Sequence, residues 1–251
     1  MKNFFCRARL LYRACRYRWK LDPAEIAFVR AHARPATTAL DIGAHKGGYA
    51  YWMARAVGPS GRVIAFEPQP GLAAELRRGF RRQRQVTIEN LGLSDQEGQL
   101  TLRVPGRGPS PGASFETTEV TADASQKISV PVSTLDACLA RAHPRVSFVK
   151  CDVEGHELRV FTGAEKTLRA ERPALLFECE QRHQNGRTIT AVFDFLGHLG
   201  YRGFFFVRGA LRPLAEFDPA RHQNPAAPGL YCNNFAFLPA ETASVGSPPG
   251  G

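Results

Sequence analysis

No stretch of the 251-residue chain approaches the ~18 consecutive apolar residues that a membrane-crossing helix needs. No bilayer span is expected. Arg7, Arg9, Arg13 and Arg16 interrupt the start of the chain and leave no apolar core for a secretory signal, so the expected location is the cytoplasm. Cys6, Cys15, Cys138, Cys151, Cys179 and Cys232 form no Cys-x-x-Cys pair and have no histidine at ligand spacing. They read as reduced structural thiols rather than a zinc site or a disulfide framework. A Gly-x-Gly-x-x-Gly fingerprint is also missing, which disfavours a nicotinamide dinucleotide. No internal repeat is present.

Positive charge is plentiful. Lys and Arg number 33 against 23 Asp and Glu, a net charge of +10 that favours an anionic partner without specifying nucleic acid, membrane or acidic glycan. Much of the excess lies in the first twenty residues and between Arg77 and Arg84. Phe4, Ala8, Leu11, Cys15 and Trp19 recur at helical spacing among basic residues, predicting a basic amphipathic helix. Such a helix packs on the domain, closes over a substrate, or touches an anionic membrane surface peripherally through residues 1–20. Nucleic acid is disfavoured because the arginines after Leu76 lack interleaved aromatic platforms. Asp22, Pro23 and Glu25 predict a capped start for a second helix.

The most informative run is Ala39-Leu40-Asp41-Ile42-Gly43-Ala44-His45-Lys46-Gly47, which reads as strand, tight turn and helix start. Gly43 permits a sharp turn and close approach to a ligand, and Gly47 lets the helix pack on the strand it leaves. A carboxylate at the strand end would repel a pyrophosphate and suits a cation, so Asp41 predicts a positively charged small ligand. Glu67 ends the next apolar run, Val63-Ile64-Ala65-Phe66, where a doubly wound fold puts the carboxylate that holds ribose hydroxyls. Together they predict a phosphate-free nucleoside with a cationic tail, which describes S-adenosylmethionine. Leu93, Ser94 and Asp95 follow a third strand and are expected at the adenine.

A second charged strand tip reads Lys150-Cys151-Asp152-Val153-Glu154-Gly155-His156-Glu157, and Glu178 ends the strand after it. Open α/β sheets bind ligands on that edge. Residues 98–104 and 128–132 alternate like an antiparallel pair, whereas 105–125 is rich in Gly, Pro, Ser and Thr and is expected to be a flexible loop or lid. The expected organisation is a basic helical arm over 1–34, one α/β domain over 35–239 and a disordered tail over 240–251.

These motifs, with Phe66-Glu67-Pro68, Thr134-Leu135-Asp136 and Arg172-Pro173-Ala174, resemble the FkbM family of S-adenosylmethionine-dependent methyltransferases over roughly 39–238. The resemblance implies a class I, Rossmann-like sheet of seven strands, parallel except for a reversed last strand, with helices on both faces. It also implies methyl transfer to a hydroxyl of a sugar, glycolipid or other natural product. The cofactor-binding set it implies is Asp41, Gly43, Ala44, His45, Gly47, Glu67, Pro68, Leu93, Ser94, Asp95 and Asp152. His45 departs from the asparagine usual at its position. An alcohol needs a base within hydrogen-bond reach; Asp152 or Glu154 is expected in that role with Lys150 orienting it, and His156 and Glu178 are the other candidates. No metal is assigned, although Asp152 and Glu178 could share one. The expected partner is a small-molecule or glycan hydroxyl acceptor, anionic if the basic charge guides it. The rival readings are a nucleic-acid methyltransferase and a non-catalytic membrane-associated binding protein on the same scaffold. The first lacks an Asn-Pro-Pro-Tyr type element.

Overall fold

A computed structural model describes residues 2–106, 108–117, 126–142, 144–184 and 186–242, with side chains from Cys6 onward. The chain opens with α1 (Lys2–Arg16), a π-helical turn (Tyr17–Leu21) and α2 (Pro23–His32). Alternating units follow: β1 (Thr38–Ile42), α3 (Gly48–Val57), β2 (Arg62–Phe66), α4 (Pro70–Phe80) and β3 (Val86–Glu89). Then come β4 (Gly92–Leu93), β5 (Gly98–Val104), β6 (Gln126–Ser133), α5 (Leu135–Leu139), β7 (Val146–Cys151), α6 (Glu157–Thr162) and α7 (Glu165–Glu171). The last elements are β8 (Ala174–Glu178), α8 (Thr190–His198), β9 (Tyr201–Val207), β10 (Ala210–Pro213), α9 (Pro219–His222) and β11 (Asn234–Pro239).

Eight strands form the main sheet in the order β10-β9-β11-β8-β7-β1-β2-β3. β1, β2, β3, β7 and β8 pair in parallel, and β11 runs antiparallel to both β8 and β9. That is the expected seven-stranded pattern with its reversed last strand, extended by β10. The extra strand forms because Arg208 and Gly209 both take positive φ, 52° and 74°, the backbone of a two-residue hairpin turn. Its sequence, Ala-Leu-Arg-Pro, is exposed throughout and gave no alternation to read. A separate three-stranded sheet, β4-β6-β5, includes the expected antiparallel pair.

β1 and β7 are buried along their whole length, and their near-continuous apolar runs reflect cover on both faces. Leu40, Ile42, Val149, Leu175 and Phe177 meet the α5–α8 layer, whereas Ala39, Ala65, Phe148 and Leu176 meet Ile26, Val29, Met53 and Leu76 on the other side. Residues 2–34 pack on the domain: Leu10, Ile26 and Val29 share the core cluster of α3 and α4, and Arg13 pairs with Glu75 at 2.9 Å. Tyr12 and Trp19, each 70% exposed, lie on the outer side. No helix among the described residues is long and apolar enough to cross a membrane. At the far end, Glu241 pairs with Arg172, while 243–251 of the expected tail lie outside the described residues.

Asp22 does not cap α2 with its side chain as expected. Its carboxylate accepts a 2.7 Å hydrogen bond from the Tyr49 hydroxyl, which ties the start of α2 to α3. The Thr134-Leu135-Asp136 motif is structural. Thr134 caps α5, and Asp136 accepts from the amides of Lys166 and Thr167 at the start of α7.

Candidate active site

The turn after β1 is shaped by its neighbours in the chain. Gly43 has φ +78°, and a Cβ there would lie 1.9 Å from the Asp152 carbonyl oxygen, so the close approach it allows is to the loop after β7. A Cβ on Gly47, at φ +77°, would lie 2.7 and 2.8 Å from the Leu76 and Phe80 side chains of α4, so the glycine makes room for α4 and not for β1 as the spacing predicted. His45 has φ +45°, a left-handed conformation in which Asn, Asp and His are enriched. The shared tolerance for that backbone explains how histidine fills a position where asparagine is usual. Burial lowers its pKa to about 4, which leaves the imidazole neutral.

Glu67, at the tip of β2, is 2% exposed. Its Oε2 accepts from the His45 amide at 2.7 Å and its Oε1 from the Gln69 amide at 2.8 Å. Burial nonetheless pushes its pKa up to about 7. It lines a crevice with Gly43, His45, Pro68, Asp152 and Val153, whose opposite wall includes Ser110, Pro111, Ala113 and Phe115. The crevice volume is only ≈ 40 Å³. Asp41 does not reach it. The Asp41 carboxyl is buried behind the turn, where burial raises its pKa to about 7 against the pull of Lys150 and the Ala50 amide. Its Oδ2 has no hydrogen-bond partner among the described residues, and the group lies within electrostatic reach of Lys150, Asp152 and Glu67.

Residues 108–117 of the expected lid form a strap held to this edge; 107 and 118–125 lie outside the described residues. Gln69 and Ser110 exchange two hydrogen bonds, and the Ser114 hydroxyl donates to the Glu154 carbonyl at 2.6 Å. His156 is buried between Ser94 Oγ at 3.0 Å and Glu116 Oε1 at 2.9 Å. Ser94 also bonds Asp95, whose other oxygen accepts from Arg159. Thus Ser94, Asp95 and His156 fasten the strap, and neither they nor Leu93, Ala44 and Gly47 line the crevice. Leu93 is a core residue. Glu157 is structural as well, bonding the Gly155 amide and Gln184.

Asp152, Glu154 and Glu178 do converge, each offering an oxygen within 4.8 Å of the others. Oxygen ligands of this kind could hold a hard divalent cation, but a positive charge already stands there. Lys150 Nζ lies 3.7 Å from Asp152 Oδ2 and 5.2 Å from the centre of the Tyr49 ring. Burial opposes the Lys150 charge, yet the surrounding groups, Asp152 foremost, outweigh it and raise its pKa. Burial and then Asp152 push Glu178 well above the usual carboxylate range, which favours its neutral form. Glu154, at φ +54°, is 3.0 Å from His183 Nδ1, and burial raises its pKa against that histidine.

Sequence reasoning missed Asn233, which donates to Glu178 Oε1 at 2.8 Å, and also His183 and Glu116. The only signal was polarity at the ends of apolar runs, as in Asn233-Asn234 before β11.

Four carboxyls, Glu25, Asp41, Glu67 and Glu157, are held at about 7 chiefly by burial, against ordinary values of 3.8 to 4.5. As pH rises from 4.5 to 7 the unfolded chain ionises first, so the native state binds more protons and loses relative stability. His45 and His32, both lowered by burial, act oppositely below their ordinary 6.5 but are outnumbered by the carboxyls. The ligand-free protein is expected to melt at a higher temperature near about pH 5.5 than near about pH 7.5; calorimetry at both values checks this.

A family model described as the methyltransferase FkbM domain matches residues 41–202. Among solved structures, a methyltransferase FkbM from Methylobacillus flagellatus KT is 15% identical with a TM-score of 0.50, covering 94% of this chain and 58% of that one. An S-adenosylmethionine-dependent O-methyltransferase from Thermotoga maritima is 16% identical with a TM-score of 0.43, covering 86% and 65%. Fibrillarin from Aeropyrum pernix with natively bound S-adenosyl-L-methionine is 11% identical with a TM-score of 0.45, covering 85% and 73%. The chain therefore spans less than two thirds of the first two. No protein of curated function matches its sequence.

Proposed function

Because the chain belongs to the FkbM methyltransferase family, we propose that it moves the methyl group of S-adenosylmethionine onto a hydroxyl oxygen of a sugar, glycolipid or other small natural product. One observation carries this reading: the Glu67-lined crevice meets the Asp152, Glu154 and Glu178 cluster, with Asp152 belonging to both. When bound, the cofactor supplies an electrophilic methyl carbon on a sulfonium. Glu67 would accept the ribose hydroxyls, and the 43–45 turn would lie against the amino-acid end. The donor set suits such a ligand, since carboxylates accept from hydroxyls and an acidic edge favours a cation.

The space suits it only when the strap moves. A nucleoside-sized ligand needs roughly 300 Å³ or more, and the 108–117 strap leaves ≈ 40 Å³. Opening must break the Gln69–Ser110 pair, the bond from the Ser114 hydroxyl to the Glu154 carbonyl and the Glu116–His156 pair.

Asp152 is the residue best placed to take the hydroxyl proton as the acceptor oxygen closes on the methyl carbon and the carbon–sulfur bond breaks. Its side chain is 35% exposed and faces the crevice, with Lys150 as its nearest cation. Glu154 is engaged by His183, and the neutral form favoured at Glu178 suits a hydrogen-bond donor that orients the acceptor.

S-adenosylhomocysteine is expected to raise the melting temperature of the full chain by ligand linkage. Ser114→Ala removes the hydroxyl's bond from the strap to the Glu154 carbonyl, which contributes about 1 kcal/mol, and is expected to tighten S-adenosylhomocysteine binding by up to roughly fivefold. An unchanged wild-type melt at saturating ligand defeats the methyl-transfer reading. Weaker binding by the variant would mean that the strap closes over the ligand and does not block it.

A further inference from the structure

Beyond Asp152 the same sheet edge carries a second, larger cavity of ≈ 510 Å³. One wall is the start of α2, with Asp22 and Glu25; another is the segment leading into β11, with Tyr231, Asn233 and Asn234. Asn233 joins it to the carboxylate cluster through its hydrogen bond to Glu178, and the Tyr231 hydroxyl bonds Glu180. Asn234, directly opposite Glu178 in the sheet, is 9% exposed, and its side-chain oxygen has no donor among the described residues.

The charge of this cavity runs against that of the molecule. In a chain of net charge +10, Asp22 and Glu25 line the cavity and neither forms an ion pair among the described residues. Arg208 also lines the cavity, exposed and donating to the Gly229 carbonyl, so two carboxyls there face one cation. Burial raises Glu25 to about 7, so a cation beside it would stabilise its charged form. An anionic acceptor would meet like charge and unpaired acceptor oxygens. A ring bearing hydroxyls and an ammonium would supply a donor to Asn234 Oδ1 and a cation to the two carboxyls.

Given the methyl-transfer reading above, we propose that this cavity is the acceptor site and that it takes a polyhydroxylated ring carrying an amine in preference to a neutral ring, and rejects a carboxylated one. This reverses the anionic acceptor suggested by overall charge.

The test uses the full chain and three hexoses that differ at one group, glucosamine, glucose and glucuronate, with binding followed by saturation-transfer NMR. Glucosamine is expected to bind roughly fivefold more tightly than glucose, and glucuronate more weakly than either. Glu25→Gln should erase the glucosamine preference while leaving the melting shift with S-adenosylhomocysteine intact. Glucuronate binding as well as glucosamine, a preference that survives Glu25→Gln, or no binding by any of the three would overturn the assignment. If the S-adenosylhomocysteine shift persists in those cases, the donor half stands and only the acceptor assignment falls. If that shift is absent while glucosamine is preferred, the cavity is an amino-sugar site and methyl transfer is what fails.

Discussion

Asp152→Asn is expected to lower kcat by roughly 10²- to 10⁴-fold, the usual loss when a positioned general base is removed. Asparagine keeps the size of the side chain but cannot take the hydroxyl proton. The substitution leaves the Gly43 turn in place, because that turn packs on the Asp152 backbone carbonyl and not on its side chain. Stabilisation by S-adenosylhomocysteine should therefore survive. Single-turnover methyl incorporation separates this from slow product release. A variant retaining more than about a tenth of wild-type kcat would move the base to Glu154 or Glu178.

Glu67→Ala is expected to have the largest effect on cofactor affinity. Hydrogen bonds to a charged group contribute about 1.5–3 kcal/mol each, so losing two ribose contacts should weaken S-adenosylhomocysteine by roughly 10²-fold or more. The variant also frees the His45 and Gln69 amides that Glu67 now accepts. Its own melting temperature should fall for that reason, and calorimetric titration must be read beside the unliganded melt. Wild-type affinity in a folded Glu67→Ala protein would place the ribose elsewhere.

The parts of the molecule that were readable from sequence are those fixed by local pattern. The strand-turn-helix at Asp41 to Gly47, the carboxylate ending β2 and the charged tip of β7 all announce themselves through apolar runs that stop at charge. What local pattern could not give was the pairing of distant residues. Asp22 read as a helix cap because its position allows one, and only the fold brings the Tyr49 hydroxyl close enough to compete. Ser94 and Asp95 lie at a strand tip as expected, but His156 and Arg159 reach them across 62 and 64 residues and turn them into a strap anchor. Asp41 sits where its motif places it, yet a single residue of alternation decides which face of β1 it occupies. That face carries α3, and on it Asp41 lies beside Lys150, outside the lining of the crevice.

The two walls of the larger cavity come from residues 21–25 and from the segment 206–234, near opposite ends of the chain. The stretch that matches the family, 41–202, includes neither wall. Donor chemistry and choice of recipient are thus written in different parts of the gene product. Drift or design confined to those flanking stretches could retarget the molecule while leaving the shared machinery untouched.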